Sequence, residues 1–586
     1  MARGRQSKGR ATQESPARGD RQSWLAGPPG AALAIAIAVA LICLPMLTNA
    51  PLPRGSDVYS TNHYLQGFMK AFGEGDLYPR WTDRTNQTLG APSFIILMPL
   101  PYAGAGLATL ATGSPIAGLK LYLVVVSILT GLCFYLLARD WIGGGLPAGI
   151  ASAIYVLLPY HVLDMYHRFA LSETTAFILF PLVILFHRRL ADRPGMWSLV
   201  GGAVSYALLV YTHLISAFMM GLFLIAWLPF HCGLSVKKLT GPFLALVCGA
   251  GLAAPALIPA VAEKSHANID WVKEMPNGDF RINFIFSDEV LPGLGFKDPV
   301  KPPVRRAAHS QLILAGVAAF AALAAAARMG QRRRDIAGLA GASVAAYLLQ
   351  TPVATPVWIA VPNLATIQFP WRFQAMQVLA SALLAALALA PAERGARTSR
   401  PAMFFWALAA AGVWNLGLAW QNAYLKPYDF DAEDLRNPGV EAWVEPAFTP
   451  KEFKGYRRFR ETRLTVARAE FSQGTGEATV DEWTSSGRRV SVKSESGGTV
   501  TLGSFWFPGW TATLDGERIP VTPSAEYGLQ TISVPAGAHT LALRFESTPA
   551  RRGASWIALF FLVATPAAGW FVRPRRDAAA AEGAVT

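Results

Sequence analysis

Long apolar runs separated by short polar connections dominate the chain. Runs long enough to cross a bilayer, about 17 to 25 residues, recur along most of its length. The run at 197–228 exceeds the roughly 20 residues of one transmembrane helix, which predicts two helices that turn near His213. The pattern predicts about twelve transmembrane helices, at residues 31–48, 116–138, 146–160, 172–186, 197–228 (two), 239–260, 310–327, 336–349, 373–390, 402–420 and 555–572.

The apolar stretch at 93–111 decides the orientation of every later connection. Pro92, Pro99 and Pro101 favour a broken helix along the outer surface over a spanning helix. With this stretch outside the bilayer, the Arg and Lys clusters between the spans all fall on one side, which the positive-inside rule identifies as cytoplasmic. Both termini are then predicted to be cytoplasmic, and the basic clusters are those at 3–10, 139, 188–189, 237–238, 328–334, 394–400 and 573–576.

Near the C-terminus, alternating apolar and polar positions replace the apolar runs, as is typical of β-strands. The alternation covers 488–495, 499–510, 511–521, 529–535 and 539–546, with turn signals at Asp515-Gly516 and Ala536-Gly537. The predicted organisation is a disordered cytoplasmic N-terminus (1–28), a transmembrane domain (29–420) with an outer loop (49–92), an extracytoplasmic β-sandwich-like domain (421–552), a final transmembrane helix (553–573) and a cytoplasmic tail (574–586).

The composition agrees with a polytopic α-helical membrane protein. Hydrophobic residues make up 52% and charged residues 15% of the chain, and the mean hydropathy is +0.31. The net charge of +14 could indicate a nucleic-acid partner. However, the basic residues lie in short clusters at helix ends, where they face anionic lipid headgroups. We therefore predict membrane lipid as a partner and no nucleic acid.

The predicted outer loop carries the first candidate catalytic acids. Asp57 follows the first span closely, so it would lie at the membrane surface, where it could act as general base towards an acceptor hydroxyl. The alternative is a solvated loop acid. Asp76 and Asp83 are further candidates, although Asp76 lies in a possible turn. Arg80 could bind phosphate oxygens, or it could merely pair with Asp76 or Asp83.

A second polar segment, YHVLDMYHRFALSE at 160–173, separates two predicted spans. Glu173 could be catalytic, or it could stabilise the start of the next helix through the helix dipole. Asp164 and Arg168 could bind substrate, but their i, i+4 spacing also fits a local ion pair. His167 in this segment, with His63 and His213, is also a candidate for binding substrate. Alternatively, these three histidines and His161 could bind a divalent metal together with the acids, although no spacing is diagnostic.

The motif QFPWRF at 368–373 begins a predicted span on the outer side. Trp371 and Arg372 could stack and bind a lipid phosphate. Equally, they could anchor the helix at the membrane interface. We retain both interpretations.

These motifs resemble a known group of proteins. The acidic loop after the first span, GDLYPRW followed by APSFIILMPLPY, and about twelve spans resemble the GT-C superfamily of polyprenyl-phosphate-sugar-dependent glycosyltransferases. YHVLDMYHRFALSE, the turn at His213, QFPWRF and the terminal FWFPGWTATLDGERIPV resemble bacterial YfhO-like membrane proteins. Some of those relatives are labelled "6-pyruvoyl-tetrahydropterin synthase-related", but this sequence lacks the histidine pattern of that soluble enzyme.

The resemblance implies a GT-C-like transmembrane domain in a bacterial inner membrane. It implies inverting hexosyl or pentosyl transfer from a polyprenyl-phosphate-linked donor to an acceptor hydroxyl on the outer face, for modification of a cell-surface glycan or glycolipid. A protein acceptor is also open. Asp57 would take the position of the loop aspartate of that superfamily, but Ser56 and Val58 flank it, so no adjacent acidic pair is present for a metal.

The sequence supports the donor class on separate grounds. No glycine-rich phosphate loop is evident, and nucleotide sugars are made inside the cell, so an outer-facing transferase needs a lipid-linked donor. The alternative functions are a lipid or polysaccharide transporter and a non-catalytic envelope assembly protein whose β domain binds glycan. A transporter is expected to carry ionisable residues within its spans and internal repeats, and neither is evident here.

Overall fold

The computed structural model describes most of the chain. It covers residues 26–47, 52–53, 55–269, 278–286, 302–325, 330–390, 446–453 and 466–571. The predicted span at 402–420, most of the predicted N-terminal segment and the predicted C-terminal tail lie outside these residues.

The described helices occur at eleven of the twelve predicted spans, and the twelfth lies outside the described part. Their bounds are α1 Pro28–Leu47, α2 Val58–Gly73, α3 Ser93–Ile96, α4 Leu100–Thr112, α5 Pro115–Ile142, α6 Leu146–Leu157, α7 Pro159–Leu163, α8 Leu171–Asp192, α9 Met196–Thr212, α10 Leu214–Cys232, α11 Val236–Leu252, α12 Ala254–Ala262, α13 Pro302–Ala325, α14 Gly330–Leu348, α15 Thr355–Ala360, α16 Gln374–Leu389 and α17 Pro549–Phe571.

Within the described residues, six helices are long and apolar enough to cross a membrane, or up to nine if each of three bent pairs is one span. The bent pairs include α6 with the segment that follows it (44°) and α11 with α12 (69°). Two further apolar helices are shorter, namely α9 and the part of α1 at Pro28–Leu44. The break predicted near His213 is confirmed, because His213 has extended backbone angles between α9 and α10.

The predicted outer loop is not an irregular connection. It contains α2, an amphipathic helix whose buried residues include Val58, Thr61, Leu65 and Phe68, at the three- and four-residue spacings of one helical face. This helix was not predicted from the sequence, and the outer position of the segment stays a prediction. The break predicted in 93–111 is confirmed, because α3 and α4 are separate helices around Pro99.

Helix α16 lies at the centre of the bundle. Every residue from Gln374 to Ala388 is buried, and the helix packs chiefly against α13 and α14. Its many alanines allow this approach, because small side chains let helix backbones come close together. The helix therefore fixes the position of the QFPWRF segment directly before it.

The C-terminal domain is one sheet of seven antiparallel strands: β1 Ala469–Trp483, β2 Gly487–Phe505, β3 Trp510–Leu514, β4 Glu517–Ile519, β5 Thr522–Pro523, β6 Leu529–Val534 and β7 Gly537–Phe545. The order is β4-β3-β7-β2-β6-β5, and β1 pairs with β2. The first half of β2 pairs with β7 and its second half with β6, so the buried sides of both halves form one core.

Two strand predictions need correction. The separate strands predicted at 488–495 and 499–510 are largely one long strand, β2, because Gly497, at positive φ, bends the chain there without ending its pairing. Strand β1 was missed, because it is mostly exposed and contains Gly474 and Gly476. The predicted turn at Asp515-Gly516 is confirmed, since both residues have positive φ between β3 and β4.

The sheet packs directly on the helical part. The Phe505 amide donates to the Leu89 carbonyl at 2.7 Å. The ring of Trp81 lies 5.5 Å from those of Trp510 and Phe545. At the start of α17, buried Arg551 pairs with Glu263 at 2.8 Å. The segment 74–97 thus joins the core of the sheet domain to the helices.

Two ionic clusters lie at opposite ends of α8. Its first turn carries Glu173, described below. Its last turns carry Arg188 and Arg189, which pair with Asp140 at 2.7 Å each, and Arg193 follows at 3.7 Å. Fifteen helical residues separate Glu173 from Arg188, about 22 Å. We call Asp140, Arg188, Arg189 and Arg193 the Asp140 cluster.

Candidate functional site

The segment 159–170 turns the chain sharply between two spans. Pro159 begins α7 after extended Leu158, and residues Asp164–Arg168 then form a π-helical turn. Phe169 ends the turn with φ +58°, a left-handed conformation that is costly for a residue with a side chain. Single π-turns often occur at functional sites. Here the turn places Asp164 and Arg168 in the protein interior.

Arg168 is the centre of a buried polar cluster. Its Nη1 donates to Asp164 Oδ1 at 2.5 Å, to Glu173 Oε2 at 2.6 Å and to Tyr160 Oη at 3.2 Å. Tyr160 in turn donates to Glu173 Oε1 at 2.8 Å. We call Asp57, Tyr160, Asp164, Arg168 and Glu173 the Arg168 cluster. The predicted Asp164–Arg168 ion pair is confirmed, but it is part of a larger network.

Asp57 is the exposed member of this cluster. Its Oδ2 lies 3.8 Å from Arg168 Nη2, and its side chain is 43% exposed, whereas the Glu173 side chain is 1% exposed. The Asp57 amide donates to the Arg168 carbonyl at 2.8 Å, which docks the start of α2 on the π-turn. Asp57 is therefore the carboxylate of the cluster that a substrate could reach.

Gly55 permits this close approach. A Cβ at position 55 would lie 2.7 Å from the carbonyl carbon and oxygen of Arg168, and it would also overlap the Cβ of Phe169. Real Cβ atoms do not approach a backbone so closely. The backbone contact that brings Asp57 to Arg168 thus depends on a glycine at this position.

The QFPWRF segment, directly before α16, packs against the Arg168 cluster. The Arg168 guanidinium lies 4.7 Å from the Trp371 ring centroid, so Trp371 stacks with Arg168. Arg372 lies over Phe369 at 4.9 Å, donates to the Ile367 carbonyl at 3.0 Å, and is 3.7 Å from Glu173. The Trp371 and Arg372 side chains are thus both packed beside the cluster.

Three carboxyl groups and two guanidinium groups meet in this region. Asp57, Asp164 and Glu173 can carry three negative charges, and Arg168 and Arg372 carry two positive charges. His213 is near enough to Glu173 and Arg372 to interact electrostatically, and its Nδ1 lies 2.7 Å from Ser216 Oγ. Asp57 is the half-exposed acid among them, and a general base must be accessible to its substrate in this way.

Tyr102 of α4 also borders Asp57. Burial raises the pKa of Tyr102, and the charge of Asp57 raises that pKa further. A hydrogen bond to Ser172 has the opposite effect. Tyr102 therefore stays a neutral hydroxyl beside Asp57 at ordinary pH.

The other predicted acids have partners outside the Arg168 cluster. Asp83 is buried, pairs with Lys70, and accepts from Ser485 Oγ at 3.4 Å. Asp76 accepts from the Tyr78 amide at 3.0 Å, as in a turn, and burial raises the pKa of Asp76. Asp76 and Asp83 follow Asp57 closely in the sequence. However, the whole of helix α2 lies between them and Asp57, so they do not join the hydrogen bonds around Asp57.

The remaining predicted binding residues have local partners. Arg80 lies over the Tyr78 ring at 4.5 Å and forms no ion pair within 4.0 Å with Asp76 or Asp83. His63 is buried within α2, where desolvation, and secondarily the charge of Arg84, lowers the pKa of His63 to about 4. The His167 carbonyl accepts from the Ser56 amide at 3.3 Å. His167 thus contributes its backbone to the docking of α2.

The predicted histidines do not form a metal centre in the described part of the chain. There, no three His, Cys, Asp or Glu side chains are grouped so that they could hold a metal ion. His161 instead contacts the Val156 carbonyl through Nδ1 at 2.8 Å and packs against Phe177.

Sequence reasoning missed Tyr160 and Gly55. Tyr160 precedes Asp164 by four residues and so shares its helical face, a spacing that was available in the sequence. Gly55 gave no such signal, because its role depends on a backbone contact with residues more than a hundred positions away.

These features define a polytopic helical membrane protein with a buried arginine–carboxylate site at one end of its bundle and a C-terminal sheet domain beside that end. The chain belongs to the family of membrane proteins described as "6-pyruvoyl-tetrahydropterin synthase related domain", whose model matches residues 97–418. The resemblance found in the sequence is thus confirmed at the level of the family. No curated protein sequence matches the chain.

Several solved structures are similar to the chain. Arabinofuranosyltransferase AftD from Mycobacteria matches with a TM-score of 0.39 and 13% identity, over 67% of this chain and 27% of that one. The Archaeoglobus fulgidus oligosaccharyltransferase matches with a TM-score of 0.43 and 14% identity, over 72% of this chain and 60% of that one. ArnT from Cupriavidus metallidurans matches with a TM-score of 0.32 and 12% identity, over 63% and 77%. The chain thus spans less than two thirds of the first two structures.

Proposed function

We propose that this protein is a membrane glycosyltransferase that moves a hexosyl or pentosyl unit from a polyprenyl-phosphate-linked donor to an acceptor hydroxyl at the outer face of the inner membrane. The observation that carries the proposal is the half-exposed Asp57, held 3.8 Å from a buried arginine at the end of the helix bundle. Two of the similar structures are an arabinofuranosyltransferase and an oligosaccharyltransferase, enzymes of the proposed class.

In the proposed reaction, Asp57 accepts the proton of the acceptor hydroxyl as general base. The acceptor oxygen then bonds to the anomeric carbon from the face opposite the phosphate. The bond between the anomeric carbon and the phosphate oxygen breaks, and the lipid phosphate leaves with the electron pair. This displacement inverts the configuration at the anomeric carbon.

Arg168 and Arg372 stabilise the negative charge of the leaving phosphate in this proposal. Arg168 Nη2 faces Asp57, while Nη1 is held by Asp164, Glu173 and Tyr160. Glu173 and Asp164 are therefore positioning residues that hold the guanidinium in place, and they are not the base. Such fixed charges stabilise a transition state without having to reorganise during the reaction.

The topology of the proposal follows the sequence prediction. Both termini are cytoplasmic, the Arg168 cluster and the sheet domain face the outside, and the Asp140 cluster faces the cytoplasm, where basic residues accumulate. The donor reaches the Arg168 cluster from the outer leaflet, and the acceptor is a glycan, a glycolipid or a protein. Modification of a cell-surface glycan or glycolipid is the proposed biological outcome.

Reconstitution tests this proposal. The purified protein is placed in proteoliposomes with a panel of radiolabelled polyprenyl-phosphate sugars and an extract of envelope glycans and glycolipids. We expect label to move from the donor lipid to an acceptor, with inverted anomeric configuration. Movement of an intact labelled lipid between leaflets without transfer would instead establish a transporter, and retention of glycan without either activity would establish an assembly protein.

A further inference from the structure

Helix α2 is held at both ends. Its first end carries Asp57 and docks on the π-turn through the Arg168 carbonyl. Its last end lies sixteen residues later, about 24 Å away. A helix of this length is stiff, so movement of its last end is transmitted to Asp57. Whatever holds the last end therefore affects the geometry of the candidate site.

The sheet domain holds that last end. The turn between β1 and β2, residues 484–486, places the Ser485 amide 2.7 Å from Glu74 Oε2. Ser485 Oγ donates to Asp83 Oδ1 at 3.4 Å. Lys70, in the last turn of α2, pairs with Asp83 and lies 3.4 Å from Glu74. The hairpin thus binds both acids that flank the end of the helix.

Stacked arginine and aromatic side chains stiffen this hairpin. The Arg488 guanidinium lies 4.2 Å from the ring centroid of Trp483 and 4.7 Å from that of Trp510. Arg468 lies 4.9 Å from Trp483. Arg488 also donates through Nη1 to the Thr484 carbonyl and, at 2.9 Å, to the Gly487 carbonyl. Both stems of the hairpin and its turn are therefore fixed by one buried side chain.

The stack continues into the helical part of the protein. Trp510 meets Trp81 edge to face at 5.5 Å, and Trp81 lies in the segment that follows α2. Trp81 also packs against Gly90, where any side chain would overlap its ring. Burial lowers the pKa of Arg488 to about 9, and the nearby Asp83 and Glu74 oppose that shift. Arg488 thus remains charged at neutral pH and is attracted to the same two acids.

We propose that the β1–β2 hairpin of the sheet domain is a clamp on the end of α2, and that through α2 it holds Asp57 in place beside Arg168. The sheet domain is then a positioning element of the candidate site and not a glycan receptor. The effect on transfer rests on the proposed function, whereas the effect on α2 does not.

Substitutions at Ser485 test the clamp directly. Ser485→Asp places a third acid against Glu74 and Asp83 and should push the hairpin away, whereas Ser485→Ala keeps the backbone hydrogen bond to Glu74. Hydrogen–deuterium exchange of the full-length protein is measured over residues 58–73. We expect faster exchange in Ser485→Asp and near-native exchange in Ser485→Ala. Asp515→Ala, in the exposed β3–β4 turn, is the control for changes in the sheet domain away from the clamp.

A second pair of variants changes Glu74 at the end of α2 and leaves the sheet domain itself unaltered. Glu74→Ala removes the acceptor of the Ser485 amide, while Glu74→Gln retains an acceptor oxygen. We expect Glu74→Ala to speed exchange in α2 and to lower kcat about tenfold with little change in KM, because it displaces the base and not the donor. Glu74→Gln should restore both quantities.

The outcomes separate the two proposals. Faster exchange in α2 together with lower kcat supports the clamp and the transferase. Faster exchange in a protein that transfers no sugar supports the clamp and overturns the transferase. Native exchange in both Ser485→Asp and Glu74→Ala overturns the clamp, whatever the activity.

Discussion

The Arg168 and Asp140 clusters use the same residue types at the two ends of α8, but their charge balance is opposite. In the Arg168 cluster one arginine meets three carboxylates, and the outermost of these, Asp57, is 43% exposed. In the Asp140 cluster one carboxylate, 10% exposed, meets three arginines. The first cluster leaves an acid, Asp57, in excess over its arginine. In the second the arginines outnumber the acids even when Asp192, which is 32% exposed and lies 3.5 Å from Arg188, is included. On this difference we base the proposal that the first is a site and the second an anchor.

The largest predicted difference between the two clusters is the loss of stability when one arginine is removed from each. Arg168→Met leaves Asp164 and Glu173 buried without their cation, which should lower the free energy of unfolding by about 3 to 5 kcal/mol. Arg188→Met leaves Asp140 paired with Arg189 and Arg193, and Asp192 in contact with His231, so it should cost about 1 kcal/mol. Denaturant unfolding in one detergent compares the two variants. Equal losses would contradict the proposed difference between the clusters.

Displacement of Asp57 should produce the next largest effect. Gly55→Ala inserts a Cβ against the Arg168 carbonyl group and should shift the start of α2. A misplacement of a catalytic group by about 1 Å can cost about a hundredfold in rate. Gly73→Ala is the matched control, because a Cβ there meets nothing within 4 Å. Initial-rate assays of both variants at equal folded yield should separate them, and native activity in Gly55→Ala would refute the role of this contact.

A smaller effect concerns pH and His63 of α2. Desolvation lowers the pKa of His63 to about 4 from the ordinary value of 6.5, so between these values the unfolded chain binds the proton and the folded protein does not. Stability should therefore fall as the pH drops below 6.5, by about 1 kcal/mol between pH 7 and pH 5.5. The free energy of unfolding of the native protein and of His63→Phe is measured between pH 7 and pH 5.5. The variant should lack the part of the pH dependence that arises from His63.

The sequence predicted the helices well, because each span is a long apolar run. The break at His213 and the turn at Asp515 were likewise local signals. β1 was not predictable in the same way, because an exposed strand with glycines has little alternation. Whether the domain boundaries follow the predicted positions stays a prediction.

The candidate site was predicted in part. Asp164, Arg168 and Glu173 lie in one short segment, so their proximity could be inferred from sequence. The contact of Asp57 with Arg168 joins positions far apart in the chain, and only the fold brings them together. Asp83 was a candidate base because it follows Asp57 in the same loop. The structure instead places Asp83 against Lys70 and against Ser485 of the sheet domain, which lies about four hundred residues away in the sequence.

The most direct test of the central claim compares Asp57→Asn with Asp140→Asn in the proteoliposome transfer assay, at equal folded yield and saturating donor. Each change removes one negative charge from one end of α8 and keeps the side-chain shape. We predict that Asp57→Asn lowers kcat by about 10²- to 10⁴-fold, as expected for loss of a general base, whereas Asp140→Asn transfers sugar at the native rate. Native transfer by Asp57→Asn would contradict the claim and show that Asp57 is not the base.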